Sequence, residues 1–454
     1  MAEEDGSTSS PGAQAKLLRG SAMMPAGESV MSATRVGPLR AMVLAVAVLT
    51  TAFKLLIAAN TFGTNDVHYW TSFAQGARQF GPIDMYGHEY LAQYNHPPMS
   101  GWMLVVINWL VDHNVADFSF LIRVPASLAD LVSVLLVFEL VRLRRPVAQA
   151  AIAAALVACS PALIVISGFH GNTDPLFVMF SLLSIYLLVV KRWAAAAGVA
   201  FAAAVSVKLV PIVLGPALMV FLMMKGWRKL AAFVGGAAVL FALLWGPVLL
   251  SRWPEFSKNV LGYAGIWARQ WGLVQLATWT GAPPGLLDFL VGPARFGVLV
   301  LSAAIPAVIV WRRPNALAPA AGLSLAMFLL LSSAFGMQYL VWPLAFAYLI
   351  SPWTASAYNL AASVFILIVY DHWNNARPWH WYEAQGALFR PREFVLMTIT
   401  WLALAAVVVS GFLVSRRREP ASVQPPGVDH ATANMPGGTG DAGSRRLVAR
   451  TTQL

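Results

Sequence analysis

The chain has 454 residues, 58% of them hydrophobic and only 11% charged, whereas soluble domains carry about 25% charged residues; a soluble globular protein is excluded and a polytopic membrane protein indicated. The net charge of +11 does not signal nucleic acid, because Lys and Arg fall in short clusters between apolar runs, the pattern that sets membrane topology. The single cysteine, Cys159, lies in an apolar run and leaves no internal disulfide to form.

Residues 1–38 are rich in Gly, Ser and Ala without an apolar core, and read as a disordered cytoplasmic lead with no cleavable signal peptide. Arg35 and Arg40 precede the first apolar run, Ala41 to Asn60, so the N-terminus is expected inside and the segment 61–117 outside. That segment is polar, aromatic and acidic. Near its end Pro97 and Pro98 suit a helix start, and the short Trp-containing run Met99 to Val111 reads as a helix lying along the interface. If it crossed, the next span would carry Arg142, Arg144 and Arg145 to the outside.

Spans are then expected at Phe118–Val141, Val147–Ile166, Leu176–Val190, Ala194–Val207, Pro211–Met224, Leu230–Leu250, Leu286–Trp311, Leu317–Ser333, Leu340–Ile350, Ala357–Tyr370 and Phe394–Val414. With the first run this makes an all-α chain of about twelve transmembrane helices with both termini inside. Every basic cluster between spans falls on the cytoplasmic side of this one threading. The membrane domain is expected over 39–415, followed by a disordered cytoplasmic tail at 416–454; the high Ala, Gly and Arg content suggests a GC-rich bacterial genome, and with it a bacterial inner membrane as the location.

The same threading gathers unusual polar residues at external ends and loops: Asp66, Asp84, Glu89, His96, Arg123, His170, Asn172, Asp174, Lys208, Arg269, Gln338, Tyr339, Asp371, His372, Arg377, His380 and Glu383. Ionisable groups at membrane depth are costly and mark sites or pathways. Asp66 stands first, as a carboxylate just past a helix end that either accepts a proton from a sugar hydroxyl or merely caps the next helix in the run GTND. Lys208, in the apolar run AVSVKLVPIVLG, must snorkel or find an anion; a phosphate would suit it, as it would Arg269 and Arg377. The runs WARQW and WNNARPWHWYE either stack on a sugar or polyprenyl chain or form an interfacial aromatic belt. His96, His170, His372 and His380 lack the spacing of a metal motif, so no metal or other cofactor is expected.

Four patches, in order, resemble the GT-C superfamily of polytopic glycosyltransferases, and within it the first GPI-anchor mannosyltransferase and related bacterial membrane mannosyltransferases. NDVHYWTSFAQGARQF is similar to an acidic first-loop motif in which Asp-x-Asp precedes Tyr and an Ala-Arg pair. YNHPPMSGW looks like a segment that starts an interfacial helix. HGNTDPLFVMFSLLSIYLL with AAAVSVKLVPI resembles a Gly-Asn helix and a Lys-x-x-Pro segment, and FGMQYLVWPL resembles a Gln-Tyr-x-x-Trp motif.

The resemblance implies transfer of a hexose, with mannose favoured, from a polyprenyl-phosphate donor to a lipid-linked or envelope glycan acceptor by inverting displacement. It places Asp66 as the catalytic acid residue of the first loop, with His68 where the family has a second Asp; this departure removes a simple Asp-x-Asp metal site. Lys208, Gln338 and Tyr339 fall on donor-side motifs, where Arg269 and Arg377 would add charge for the phosphate. His68, Tyr69, His96, His170, Asn172 and Asp174 would line the substrate. The other implied partners are membrane lipids. No Gly-rich nucleotide loop is evident, in keeping with a lipid-linked donor. The alternative is a transporter or flippase of lipid-linked sugar, against which stand the lack of an internal repeat and the gathering of polar residues at one face.

Overall fold

In hydrocarbon a backbone must satisfy its own polar groups, which helices do locally. The computed structural model describes residues 27–88, 94–263, 265, 269–374 and 389–416, and among these it consists of helices and their connecting turns, with no strand. Glu89, Arg377, His380 and Glu383 therefore lie outside the described residues, as does nearly all of the expected C-terminal tail.

The main helices are α1 (Gly27–Asn60), α2 (Asn65–Asp84), α3 (Pro98–Asp112), α4 (Val124–Val141), α5 (Val147–Ala158), α6 (Asp174–Tyr186), α7 (Ala194–Val207), α8 (Gly215–Lys225), α9 (Trp227–Ser251), α10 (Ala294–Arg312), α11 (Leu317–Leu331), α12 (Leu344–Ile350), α13 (Pro352–Asn374) and α14 (Pro391–Arg416). Eight helical segments are long and apolar enough to cross a membrane. A ninth is the pair Val147–Ala158 and Pro161–His170, bent by 41°, and Ala194–Val207, Val210–Lys225 and Met337–Ile350 are shorter apolar helices. Each segment corresponds to an expected span.

Three boundaries differ from the sequence reading. The first helix begins at Gly27, ahead of the expected edge of the lead at residue 38. The expected span Leu286–Trp311 is interrupted: Pro293 disfavours helical geometry at Gly292, so one short helix ends at Val291 and α10 starts at Ala294. The segment 61–117 holds two helices where one was expected. Helix α3 starts at Pro98 with Pro97 as its cap, as the two prolines suggested. Helix α2 was read as loop, yet it buries Val67, Trp70, Phe73, Ala74 and Ala77, a stripe at helical spacing hidden by polar neighbours.

Helices α1 and α4 run antiparallel, and three polar contacts along their length show it. At one end Arg40 pairs with Glu139 (2.5 Å), in the middle Lys54 pairs with Asp130 (2.6 Å), and at the other end Arg123 bonds the carbonyls of Ala58 and Thr61 (2.8 and 2.6 Å). The end carrying Arg40 belongs to a basic pole, where Arg145 reaches the carbonyl of Ile350 and Arg313 that of Arg416. The other ends of the same helices form the pole where the candidate site lies. Between α5 and Pro161 the chain breaks at Cys159 and Ser160; Ser160 donates to Asn359 of α13 (2.7 Å) and accepts from the N–H of Leu163 (3.3 Å), so the break keeps its hydrogen bonds.

The first-loop helices pack around an aromatic cluster. The His96 ring lies 4.3 Å from that of Trp70, Phe73 meets Tyr94 edge-on, and the Tyr86 hydroxyl donates to the carbonyl of His96 (2.6 Å). Burial, aided by the nearby positive charge of Lys208 and opposed by Asp66, depresses the His96 pKa from 6.5 to about 3.

Two outcomes follow. Lys54 and Asp130 are 1% and 4% exposed, so removing either charge strands the other. Lys54→Met or Asp130→Asn is expected to destabilise the protein by about 3–5 kcal/mol, and an apolar replacement of both by much less, measured by thermal unfolding in detergent. For His96, the unfolded chain takes up a proton near pH 6.5 that the fold refuses until about pH 3. Its stabilising contribution is full above 6.5 and is lost as pH falls towards 3. A Tm-against-pH profile of His96→Gln should therefore be flatter than wild type across that window.

Candidate functional site

The site grows from the turn between α1 and α2. Thr64 caps α2, its hydroxyl accepting the N–H of Asp66 at 3.3 Å. This corrects the reading of Asp66 as a possible cap: the cap is Thr64, and Asp66 is left in the first helical turn, where the helix N-terminus favours a carboxylate. The Thr64 hydroxyl also donates to the carbonyl of His170 (2.7 Å), tying this turn to a distant one.

That second turn ends a stretch of π-helix, Ile166–His170, a local widening common at functional sites. Gly171 follows at φ 86°, and a Cβ there would stand 2.4 Å from the Val67 side chain of α2. Glycine thus permits both the left-handed turn and the close approach that aim the next residues at Asp66. His170 Nε2 lies 3.0 Å and Asn172 Nδ2 2.9 Å from Asp66 Oδ2. Both bonds fall on the same oxygen, so Oδ1 remains open among the described residues. The Asp66 side chain is 30% exposed.

Behind His170, its Nδ1 is hydrogen-bonded to the hydroxyl of Tyr370 at the end of α13. His170 thus bridges Tyr370 on one ring nitrogen and Asp66 on the other, so both nitrogens are engaged. Burial pushes the Asp66 carboxyl up. The imidazole of His170, the hydrogen bonds from His170 and Asn172, and the field of Lys208 outweigh it and hold the pKa below the ordinary 3.8.

Next to this carboxylate lies a second one. The Asn172 side-chain oxygen accepts the N–H of Asp174 (3.0 Å), fixing the start of α6. The Asp174 carboxylate is 1% exposed and receives Lys208 Nζ at 2.7 Å and Trp342 Nε1 at 2.6 Å. Lys208 thus finds its anion within the chain. It stands just past the end of α7, and its ammonium lies 4.8 Å from the Tyr339 ring and 4.9 Å from that of Trp342. The Tyr339 hydroxyl is bonded to that of Tyr263, which also meets the Asn95 side chain. Gln338 is buried in the adjoining turn, Met337–Val341.

The structure therefore brings Asp66, His170, Asn172, Asp174, Lys208 and Tyr339 into one connected cluster, with His96 close enough to feel both Lys208 and Asp66. It does not bring in every sequence candidate. His68 and Tyr69 are exposed on α2, facing Phe62 and Phe73. Arg269 is exposed and pairs with Asp288 at 2.6 Å. Asp84 pairs with Arg252. Arg377 is outside the described residues.

Sequence reasoning missed Thr64, Tyr263, Trp342 and Tyr370 as parts of the cluster. Only Trp342 carried a signal, as the last residue of the motif QYLVW. It also missed Lys54 and Asp130, although two opposite charges, each alone in an apolar run, invite pairing.

The model of the dolichyl-phosphate-mannose-protein mannosyltransferase family matches residues 95–250. That segment holds His96, His170, Asn172, Asp174 and Lys208 and begins after Asp66. No curated protein matches the chain. The match holds five of the clustered residues of an all-α chain with eight or more apolar candidate spans, and it supports an integral membrane glycosyltransferase of the GT-C type over a transporter.

Proposed function

We propose that the protein transfers a hexose, with mannose favoured, from a polyprenyl-phosphate donor to a lipid-linked or envelope glycan acceptor on the external face of a bacterial inner membrane. The observation that carries this reading is the state of Asp66. Its neighbours hold its pKa below the ordinary value, its side chain is partly exposed, and two bonds hold one oxygen while the other meets no partner among the described residues. A carboxylate so fixed suits an acceptor hydroxyl. The matched family, the dolichyl-phosphate-mannose-protein mannosyltransferases, supports a lipid-linked mannosyl donor. The external placement rests on the positive-inside rule, with Arg142, Arg144, Arg145, Arg312, Arg313 and Arg416 at ends opposite to the cluster.

In the proposed reaction the acceptor O–H points at Asp66 Oδ1. Its oxygen forms a bond to the anomeric carbon as the bond from that carbon to the phosphate oxygen breaks, with inversion. The hydroxyl proton passes to Asp66, and the electron pair leaves with the polyprenyl phosphate. The phosphate gains charge in this step, so a cation beside it lowers the barrier. Lys208 supplies one, with two N–H groups beyond the one given to Asp174 and a side chain that is 19% exposed. Tyr339 lies beside it, its ring 4.8 Å from the Lys208 ammonium. The donor's lipid tail would lie between helices, which is why such an enzyme belongs in a bilayer.

Asp66→Asn keeps the size of the side chain and its contact with His170 and Asn172 but loses the base. It is expected to insert and fold normally while transfer from polyprenyl-phosphate mannose falls by about 10²–10⁴-fold. Transfer at the wild-type rate would sink the assignment. An assay over a panel of polyprenyl-phosphate sugars identifies the donor. Because Asp66 has His68 rather than a second acid two residues on, transfer is expected to persist in EDTA, and its abolition would show that a divalent ion takes part.

A further inference from the structure

Arg123 is fully buried, and none of its partners among the described residues is a carboxylate. Nε donates to the carbonyl of Ser119 (2.7 Å). Nη2 donates to the carbonyls of Ala58 (2.8 Å) and Thr61 (2.6 Å). Nη1 reaches the Thr61 hydroxyl (2.9 Å) and the carbonyls of Gly168 (3.2 Å) and Phe169 (3.5 Å). An unpaired buried guanidinium is costly. Besides the Ser119 carbonyl and the Thr61 hydroxyl, its acceptors are carbonyls at two helical ends, that of α1 and that of the π stretch Ile166–His170. Those carbonyls lack intrahelical donors and lie at the negative ends of the helix dipoles, so one planar cation satisfies both.

The two ends are the ones that launch the site. Past Thr61 the chain turns through Gly63 to Thr64 and Asp66; past Phe169 it reaches His170, Gly171 and Asn172. A Cβ on Gly63, whose φ is 105°, would lie 2.8 Å from the carbonyl of Phe169 and 3.5 Å from Arg123 Nη1, so the two turns and the guanidinium are packed together. We infer that Arg123 is a positioning residue of the transfer reaction: by bonding both helix ends at once it sets the distance between Asp66 on one and His170 and Asn172 on the other. The inference rests on the reading of Asp66 as the base.

Lysine keeps the charge but offers a single ammonium, which cannot span both ends with the guanidinium's fork. In Arg123→Lys the Asp66 bonds to His170 and Asn172 lengthen. The expected results are a roughly hundredfold fall in kcat, an unchanged KM for the polyprenyl-phosphate donor, and an acid limb of the pH–kcat profile moved up by about one unit as burial regains control of the carboxyl. Thr61→Val, which withdraws one acceptor and no backbone group, moves the limb the same way by less and serves if the lysine variant does not fold. Glu139→Gln is the control for loosened packing, since it weakens the same α1–α4 pair at the opposite pole. The inference is overturned if the limb stays put in Arg123→Lys and Thr61→Val, or if Glu139→Gln moves it equally. An inactive Asp66→Asn alongside unshifted limbs overturns this inference alone; a fully active Asp66→Asn overturns the base reading and this inference with it.

Discussion

Helix ends buried in an apolar bundle have carbonyls that no water can reach, and this constraint shapes the whole site pole. Helices α1 and Ile166–His170 both end there, and their last carbonyls converge on Arg123. Below them Lys54, Asp130 and Ser167 form a second buried tier, with Asp130 accepting from Lys54 at 2.6 Å and from Ser167 at 2.5 Å. Polar groups that the bilayer would penalise are thus turned into the fixed points from which the exposed loops leave. The loops can then be short, since their starting positions are already held.

The electrostatics of the cluster follow the same logic of shared partners. Two carboxylates stand close together, and each is supported differently. Asp66 is partly open and is held by His170 and Asn172, with Tyr370 behind His170. Asp174 is closed and takes the full charge of Lys208 together with the Trp342 N–H. Asn172 joins the two, donating to Asp66 and accepting from the Asp174 backbone. On the proposed reading, that division keeps one carboxylate accessible to a hydroxyl while the other holds a cation beside the departing phosphate.

Much of this was legible in the chain. The apolar runs located the helices, and the clusters of Lys and Arg separated the two poles. The proline pair marked the start of α3. Asp66 and Lys208 stood out because a charge next to an apolar run requires a reason. What failed to show was local or long-range in a way that periodicity does not record. The amphipathic stripe of α2 was diluted by polar residues on a helix that is only half covered. Gly292–Pro293 cut a span that hydropathy alone ran together. Tyr370 looked like the last apolar residue of a span, and Arg269, read as a phosphate ligand, settled on a nearby exposed carboxylate instead.

The sequence by itself determined that this is an all-helical membrane chain with its unusual polar side chains gathered at one pole, because hydrophobicity and charge act residue by residue against the bilayer. Only the tertiary structure decided which of those side chains meet. Asp66 and His170 are 104 residues apart and Asp174 and Trp342 168 apart. Their pairing depends on how helix ends stack, on a π turn with a left-handed glycine after it, and on one buried guanidinium. Those are properties of packing between segments, and no single segment's composition contains them.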